Sequence, residues 1–326
     1  MRETVDKALD KINRQILYEL DWNARQSDSI LAKKVGKSHE SVRYRITQLE
    51  KKKIITGYTT WINVAKLGYQ GYKMYLKIGG TEEDREIFYD AMKKSTDVFW
   101  LGVADGAWDV GLTFFARSNQ EFFDRKNEIF ADHNRIILQK FAGMLVDPYF
   151  YPKKIFWNEA NERKSLFGKV EQNKIDGVDR TILSELFHNS RTSTVELARK
   201  AKVSVDVVRS RVKRMEQKGI IAKYTATLDY HKLGLEFYKT FLYFDSFSKQ
   251  DEKKLFEMVK QDPNILHIVT LIAPWDIELE IMVENYQQYN QIIRRIKAEF
   301  PNLRNVESAT MSGDFVFPAK NTIMNL

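Results

Sequence analysis

The sequence predicts an α+β chain built from two copies of one unit, each a helix-turn-helix domain followed by a ferredoxin-like βαββαβ domain. Three observations predict it. Residues 9–68 align with 175–234 at a constant offset of 166 without a gap, and self-similarity at a fixed period marks duplicated architecture. Within each copy the apolar residues recur first at helical spacing and then in β-rich runs. Positive charge is also confined to the helical part of each copy. Residues 1–57 carry 13 Lys+Arg against 8 Asp+Glu, and residues 174–224 carry 12 against 6, although the whole chain is only +8.

The repeat is direct. Asn23-Ala24-Arg25 falls on Asn189-Ser190-Arg191, Leu31-Ala32-Lys33 on Leu197-Ala198-Arg199, and Lys66-Leu67-Gly68 on Lys232-Leu233-Gly234. Trp108-Asp109 matches Trp275-Asp276 at an offset of 167, so the copies continue in one fold with small length changes. In each copy a first helix presents Leu9, Ile12, Ile16, Leu17 and Leu20, or Val178, Ile182, Leu183 and Leu186, on one face. Ser27 and Ser193 are placed to cap a short second helix, and Ser193-Thr194-Val195-Glu196 fits a capping box. Ser38 and Ser204 are placed to cap a third, whose buried stripe is Val42, Ile46 and Leu49, or Val208, Val212 and Met215. Three helices with a tight turn before the last predict a helix-turn-helix.

The β-rich runs follow. In the first copy strands are expected near Tyr58–Ile62, Tyr72–Ile78, Val98–Val103, Trp108–Phe115 and Ile136–Phe141, with helices at Glu83–Lys93 and Glu121–Phe130. In the second they are expected near Tyr238–Phe244, Leu266–Leu271, Ile277–Val283 and Val306–Met311. The expected domains are 1–57 (helix-turn-helix), 58–147 (ferredoxin-like), 148–174 (linker), 175–224 (helix-turn-helix), 225–315 (ferredoxin-like) and 316–326 (tail). The aromatic part of the linker (Tyr149, Phe150, Tyr151, Phe156, Trp157) is unlike a flexible tether and is expected to pack on a domain.

Composition narrows the chemistry. With 43% hydrophobic and 13% aromatic residues the chain has material for several cores. There is no cysteine, which removes disulfide and thiolate chemistry and fits a reducing cytoplasm. No run of about 18 apolar residues and no leader pattern occurs, so neither membrane nor export is expected. The five histidines (His39, His133, His188, His231, His267) are scattered without ligand spacing, and neither a phosphate-binding glycine loop nor a nucleophile elbow is present. No metal, no cofactor and no enzyme chemistry is indicated. Two segments of concentrated positive charge are instead what a polyanionic partner requires.

The motifs resemble those of the Lrp/AsnC family, also called feast/famine regulators, over almost the whole chain. The resemblance rests on Leu9-Asp10-Lys11-Ile12-Asn13-Arg14-Gln15-Ile16-Leu17, Asn23-Ala24-Arg25, Leu31-Ala32-Lys33-Lys34-Val35-Gly36-Lys37-Ser38 and Arg45-Ile46 before Leu49-Glu50, and the second copy repeats the set. It implies a transcriptional regulator that binds double-stranded DNA, with an amino acid or related metabolite as effector between α/β domains. Ordinary members carry one module and pair through those domains. A tandem chain is expected to build that pair internally as a pseudo-dimer, and to remain capable of forming homo-oligomers.

In a helix-turn-helix, exposed residues early in the third helix face base edges and flanking basic residues hold phosphates. The expected DNA-binding residues are Ser38, His39, Glu40, Arg43, Tyr44 and Thr47 in the first copy. In the second they are Ser204, Val205, Asp206, Arg209, Ser210 and Lys213. Arg45 and Arg211 either join that face or lock the helix to its domain, and the sequence leaves both open. Lys51-Lys52-Lys53 is expected at most to neutralise phosphate. The Gly-x-x-Asp turn that the resemblance implies is Gly106-Ala107-Trp108-Asp109, so Gly106, Trp108 and Asp109 are the effector-binding candidates. A packed aromatic and a hydrogen-bonded aspartate in a tight turn explain the last two equally well. The second copy reads Ala273-Pro274-Trp275-Asp276, with alanine where the glycine is expected.

Two other readings share the fold. Siroheme decarboxylases look like tandem or paired modules of this family, and need His, Arg and Tyr gathered in the α/β domain. The strands Val98–Val103 and Leu266–Leu271 hold one histidine, His267, and no arginine. The other reading is a metabolite sensor whose DNA heads are idle.

Overall fold

A computed structural model of the protein describes residues 9–157 and 163–316. Each copy opens with three helices: α1 (Lys11–Trp22), α2 (Asp28–Val35) and α3 (His39–Lys51) in the first, α6 (Gly177–His188), α7 (Thr194–Ala201) and α8 (Val205–Gln217) in the second. Side chains cap them as the sequence implies. Asp10, Ser27 and Ser38 accept from amides three residues on, as do Asp176, Ser193 and Ser204, which satisfies donors that have no intrahelical partner. Only half of the expected box at Ser193 forms. The Glu196 carboxylate lies 3.7 Å from Lys200 Nζ, one turn later in the same helix.

The strands of the first copy are β1 (Ile55–Ile62), β2 (Gln70–Ile78), β3 (Val98–Gly106), β4 (Val110–Ala116) and β5 (Ile137–Phe150), with α4 (Glu82–Lys94) and α5 (Asn119–Phe130) between them. After a short β6 (Lys164–Ser165), the second copy has β7 (Ile221–Leu228), β8 (Glu236–Phe244), β9 (Ile265–Ile272), β10 (Ile277–Val283) and β11 (Leu303–Val316), with α9 (Lys249–Gln261) and α10 (Tyr286–Glu299). Eight of these strands close an antiparallel ring in the order β2-β4-β3-β11-β8-β10-β9-β5, because β5 pairs with β9 and also with β2. Closure gives every strand of the ring two neighbours, which limits exposed ladders of unpaired amides.

The long strands β5 and β11 join the copies. Residues of β5 up to Leu145 pair with β2, and Met144 to Phe150 pair with β9. Leu303 to Met311 of β11 pair with β8, and Ala309 to Val316 with β3. The ring is therefore shared between the copies, which is why the two α/β parts do not appear as separate sheets. Period-2 alternation splits each strand between two cores. Tyr72, Met74 and Leu76 point outward to Phe88, Phe122 and Phe130 of the covering helices. Ile277, Leu279 and Ile281 do the same under α9 and α10. The inward residues, with the apolar faces of the heads, form a third, larger core.

Three expectations are corrected. Tyr58–Ile62, read as the first strand of the α/β domain, lies in β1, which pairs with β7 in a separate two-stranded sheet between the heads. Trp108 sits in the turn before β4 and not in the strand. The 148–174 segment is no linker: it completes β5, supplies β6, and buries Phe150, Tyr151, Ile155, Phe156, Leu166 and Phe167. The long strands hid this from the sequence, because Pro148 and the charged residues around it read as the end of a domain. The expected tail lies outside the described residues beyond Val316.

Candidate functional site

The two heads are locked face to face by the residues that carried the repeat. Strands β1 and β7 pair antiparallel, with Tyr58 opposite Ala226 and Thr60 opposite Tyr224. The Arg25 guanidinium donates to the carbonyls of Ser190 (2.6 Å) and Thr192 (2.8 Å) and lies 5.5 Å from the centre of the Tyr224 ring. Arg191 answers across the pseudo-twofold, 5.2 Å from the Tyr58 ring and 2.5 Å from the Asp28 carboxylate. Tyr58 and Tyr224 in turn donate to Glu50 and Glu216, both at 2.6 Å. Burial, followed by these carboxylates, pushes both phenols above their usual range.

The third helix of each head is fixed from behind. Arg45 donates to Asp10 (2.6 Å) and Asn13 (3.0 Å), and Arg211 to Asp176 (2.6 Å) and Asp179 (3.2 Å). Both arginines therefore hold α3 and α8 to the first helix of their own head, which resolves the choice that the sequence left open. Arg25, Arg191 and Lys223 also point into the protein. The localised positive charge is thus partly internal. Of the expected DNA-binding residues, Ser38, His39, Glu40, Arg43 and Tyr44 are exposed on α3 and its cap, and Thr47 is half-buried. In the second copy Ser204, Asp206, Arg209, Ser210 and Lys213 are exposed, whereas Val205 is half-buried against the core. The Ser38 and Ser204 hydroxyls accept from Ser41 and Val207 amides. Arg43 makes no ion pair among the described residues, while Arg209 lies 3.1 Å from Asp206 on the open face. Val207 was not singled out by the sequence, yet it is the valine that the first turn of α8 exposes, at 37%. Its helical register against Val205 and Val208 was the available signal.

The effector candidates separate. Asp109 accepts from the Ile78 amide and the Lys77 ammonium, both at 2.8 Å, so it holds the β3–β4 turn. Gly106 has φ +123° and a Cβ there would stand 2.5 Å from the Ser308 carbonyl, so it is needed for backbone approach. Trp108 lines a cleft of about 510 Å³ between this turn and its repeat, together with Phe141, Tyr243, Trp275 and Glu307. Trp275 is the residue that the repeat aligns with Trp108, whereas Phe141, Tyr243 and Glu307 lie on strands whose partners the sequence does not reveal.

A second constellation lies inside the ring. Glu278 of β10 accepts from Lys73 (2.7 Å), Tyr75 (2.6 Å) and Lys239 (2.9 Å), with no exposure of its own. Lys239 also pairs with Glu280, which pairs with His267. Burial pushes Lys73 down to about 8 despite the Glu278 carboxylate. On Lys239 burial acts the same way, but Glu278 and Glu280 override it and hold the ammonium charged. Asp21, at the end of α1, forms a related cluster with Lys153 of the joining segment and Lys223 of β7. Among the described residues there is no group of acidic and imidazole side chains arranged to hold a metal, and no helix is long and apolar enough to cross a membrane.

Residues 9–50 match the AsnC-type helix-turn-helix domain, and residues 175–222 match a winged helix-turn-helix DNA-binding domain. A helix-turn-helix transcriptional regulator of Pyrococcus horikoshii is 28% identical over 120 residues, which is 36% of this chain and 80% of that protein. A second from the same organism is 28% identical over 145 residues, 44% of this chain and 88% of the other. The siroheme decarboxylase NirDL superposes with a TM-score of 0.63 at 10% identity, covering 92% of this chain and 91% of its own; at that identity the likeness is one of fold. The chain thus carries two helix-turn-helix DNA-binding domains, AsnC-type in the first copy and winged in the second, and is similar to helix-turn-helix transcriptional regulators over about two fifths of its length.

Proposed function

We propose that the two heads read two different half-sites of one duplex, and that a small effector held by the strand ring adjusts their grip. The observation that carries the first part is the pairing of the heads through β1 and β7, because it fixes two recognition helices whose exposed residues differ. Arg43 and Arg209 are exposed at matching places, and each can donate to a guanine edge. Around them His39, Glu40 and Tyr44 face Val205, Asp206 and Ser210 in the repeat. Because Val205 is half-buried, Val207 is the apolar residue better placed for a thymine methyl. Ser38, Thr47, Ser204 and Lys213 are assigned to backbone or edge contacts. A symmetric homodimer of single modules would favour a near-palindrome, whereas this pair favours an asymmetric site.

Titration of labelled duplex across a salt series tests the DNA reading. If about six phosphates are neutralised, log K should fall against log salt with a slope of about −5. Absence of binding at low salt would refute it. The resemblance to decarboxylases is one of fold, while the sequence relatives named above are regulators, and this favours the regulatory reading.

A further inference from the structure

We infer that the cleft between the two β-turns is a binding site for a small organic ammonium ion, held by a cage of four aromatic rings closed by one carboxylate. Trp275 forms its floor, with only 2% of its surface exposed. Around it stand Phe141 at 4.8 Å between ring centres, Tyr243 at 6.4 Å and Trp108 at 6.5 Å, with planes inclined by 58°, 76° and 56°. These three rings pack on Trp275, and because all four also line the cleft its wall is largely aromatic, which suits a cation. The cleft of about 510 Å³ is within the range of small-molecule sites.

The charge of the wall selects the ligand. No lysine or arginine lines the cleft, and among the described residues Glu307 makes no ion pair. Its Oε2 accepts from the Tyr243 hydroxyl at 2.7 Å, which turns the carboxylate toward the cage. Arg304, on the same strand, is exposed and outside the lining. An anionic ligand would meet the carboxylate without a compensating cation. A neutral one could hydrogen-bond Gln139 or Ser308 but would gain nothing from the charge of Glu307, whereas an ammonium ion gains both the rings and the carboxylate. The cleft straddles the repeat and its two sides differ, because Tyr243 and Glu307 on one side correspond to Lys77 and Phe141 on the other. Lys77 is already committed to Asp109 and the Gly106 carbonyl.

Both copies contribute walls, so occupancy would couple the β3–β4 turn to the start of β10. The regulatory consequence rests on the effector reading above; the binding itself does not. Choline is the probe, with 3,3-dimethylbutan-1-ol as its neutral isostere, and tryptophan fluorescence of the full chain as the readout. Saturable quenching by choline is expected at millimolar concentration, with the isostere about tenfold weaker. Glu307→Gln and Tyr243→Phe should each weaken choline severalfold while the melting temperature stays within the wild-type range; Tyr243→Phe removes only a hydroxyl and keeps the fold testable. Absence of saturation, equal response to the isostere, or undiminished choline binding by Glu307→Gln would each overturn the proposal. Duplex binding of the same preparation, with and without choline, is recorded in parallel. Choline binding without any change in duplex affinity would count against the effector reading alone.

Discussion

The two halves of the ring share one register and are filled in opposite ways. In the second copy Glu280 stands opposite Lys239 and Glu278 opposite Phe241. At the repeated positions of the first copy Thr113 stands opposite Lys73 and Gly111 opposite Tyr75. Where the second copy carries His267, the first carries Trp100, whose ring packs over Gly102 and Gly111. One half is filled by an indole lying on glycines. The other is filled by charge, and the lysine of the first copy crosses the interior to complete it. The difference teaches that pseudo-symmetry of backbone does not impose symmetry of interior: a duplicated core needs only matched total volume and paired polar groups. The same contrast recurs under the heads, where Asp21 with its two lysines corresponds to Phe187 against Phe99.

The largest effect expected from this comparison is at Glu278. Replacement by alanine strands Lys73 and Tyr75 in the interior, leaves Lys239 with Glu280 alone, and should cost about 3–5 kcal/mol in urea unfolding at neutral pH. Thr113→Val in the first half should cost about 1 kcal/mol or less, since a threonine at 6% exposure there holds no ion. Similar losses at both sites would mean that the charged half is not special.

The buried ions of the ring and of the heads also set the pH response. For Asp21, Glu278 and Glu280 burial opposes ionisation, but the lysines beside Asp21 and Glu278, and Lys239 with His267 beside Glu280, hold each carboxyl below its usual range. Their folded values lie below the unfolded 3.8 or 4.5, so their contribution is complete above that range and is lost as pH falls from it through the lower folded values. Lys73 and Lys223 act in the other sense. Burial pushes both down from 10.5 to about 8, so the fold favours their neutral form, and stability should rise as pH climbs from about 8 towards 10.5. Denaturant midpoints across this window should show that rise, and Lys223→Met should reduce it. An unchanged rise would remove Lys223 as a source.

The turns give the next contrast. Gly106→Ala meets the Ser308 carbonyl at 2.5 Å in a left-handed conformation and should cost about 1–3 kcal/mol. Ala273, its repeat, has no positive φ, so Ala273→Gly should cost only about 0.5–1 kcal/mol of chain entropy. Thermal melts of the two variants check the order. The smallest effect is expected at the ends of the head helices. Gly36 and Lys202 occupy matching left-handed positions at φ 64° and 55°. Lys202→Gly should therefore gain about 0.5–1 kcal/mol.

Much of this was legible in the sequence. The heads, their caps and the buried stripes follow from 3.6-residue periodicity and from Ser27, Ser38, Ser193 and Ser204, which act locally. The ring was legible strand by strand, but its closure was not. Nothing local in Ile137–Phe150 announces that its ends pair with strands from different copies, and the segment after Pro148 therefore read as a linker. The buried ions were visible only as the alternation Ile277-Glu278-Leu279-Glu280-Ile281, which equally describes a strand with one face in water. Their partners come from other strands, and long-range pairing has no short-range signature. The cage residues failed for the same reason, apart from Trp108 and Trp275, which the repeat had aligned.

Whether the paired heads read different half-sites is decided by Arg43→Ala and Arg209→Ala on isolated half-sites. Each half-site would be taken from the preferred full site selected from a randomised duplex pool, and affinities measured by anisotropy at fixed salt. Arg43→Ala should weaken one half-site and Arg209→Ala the other, each by about 1–3 kcal/mol. Equal losses on both half-sites from either variant would contradict the account, because the arginines would then be holding phosphates common to any duplex.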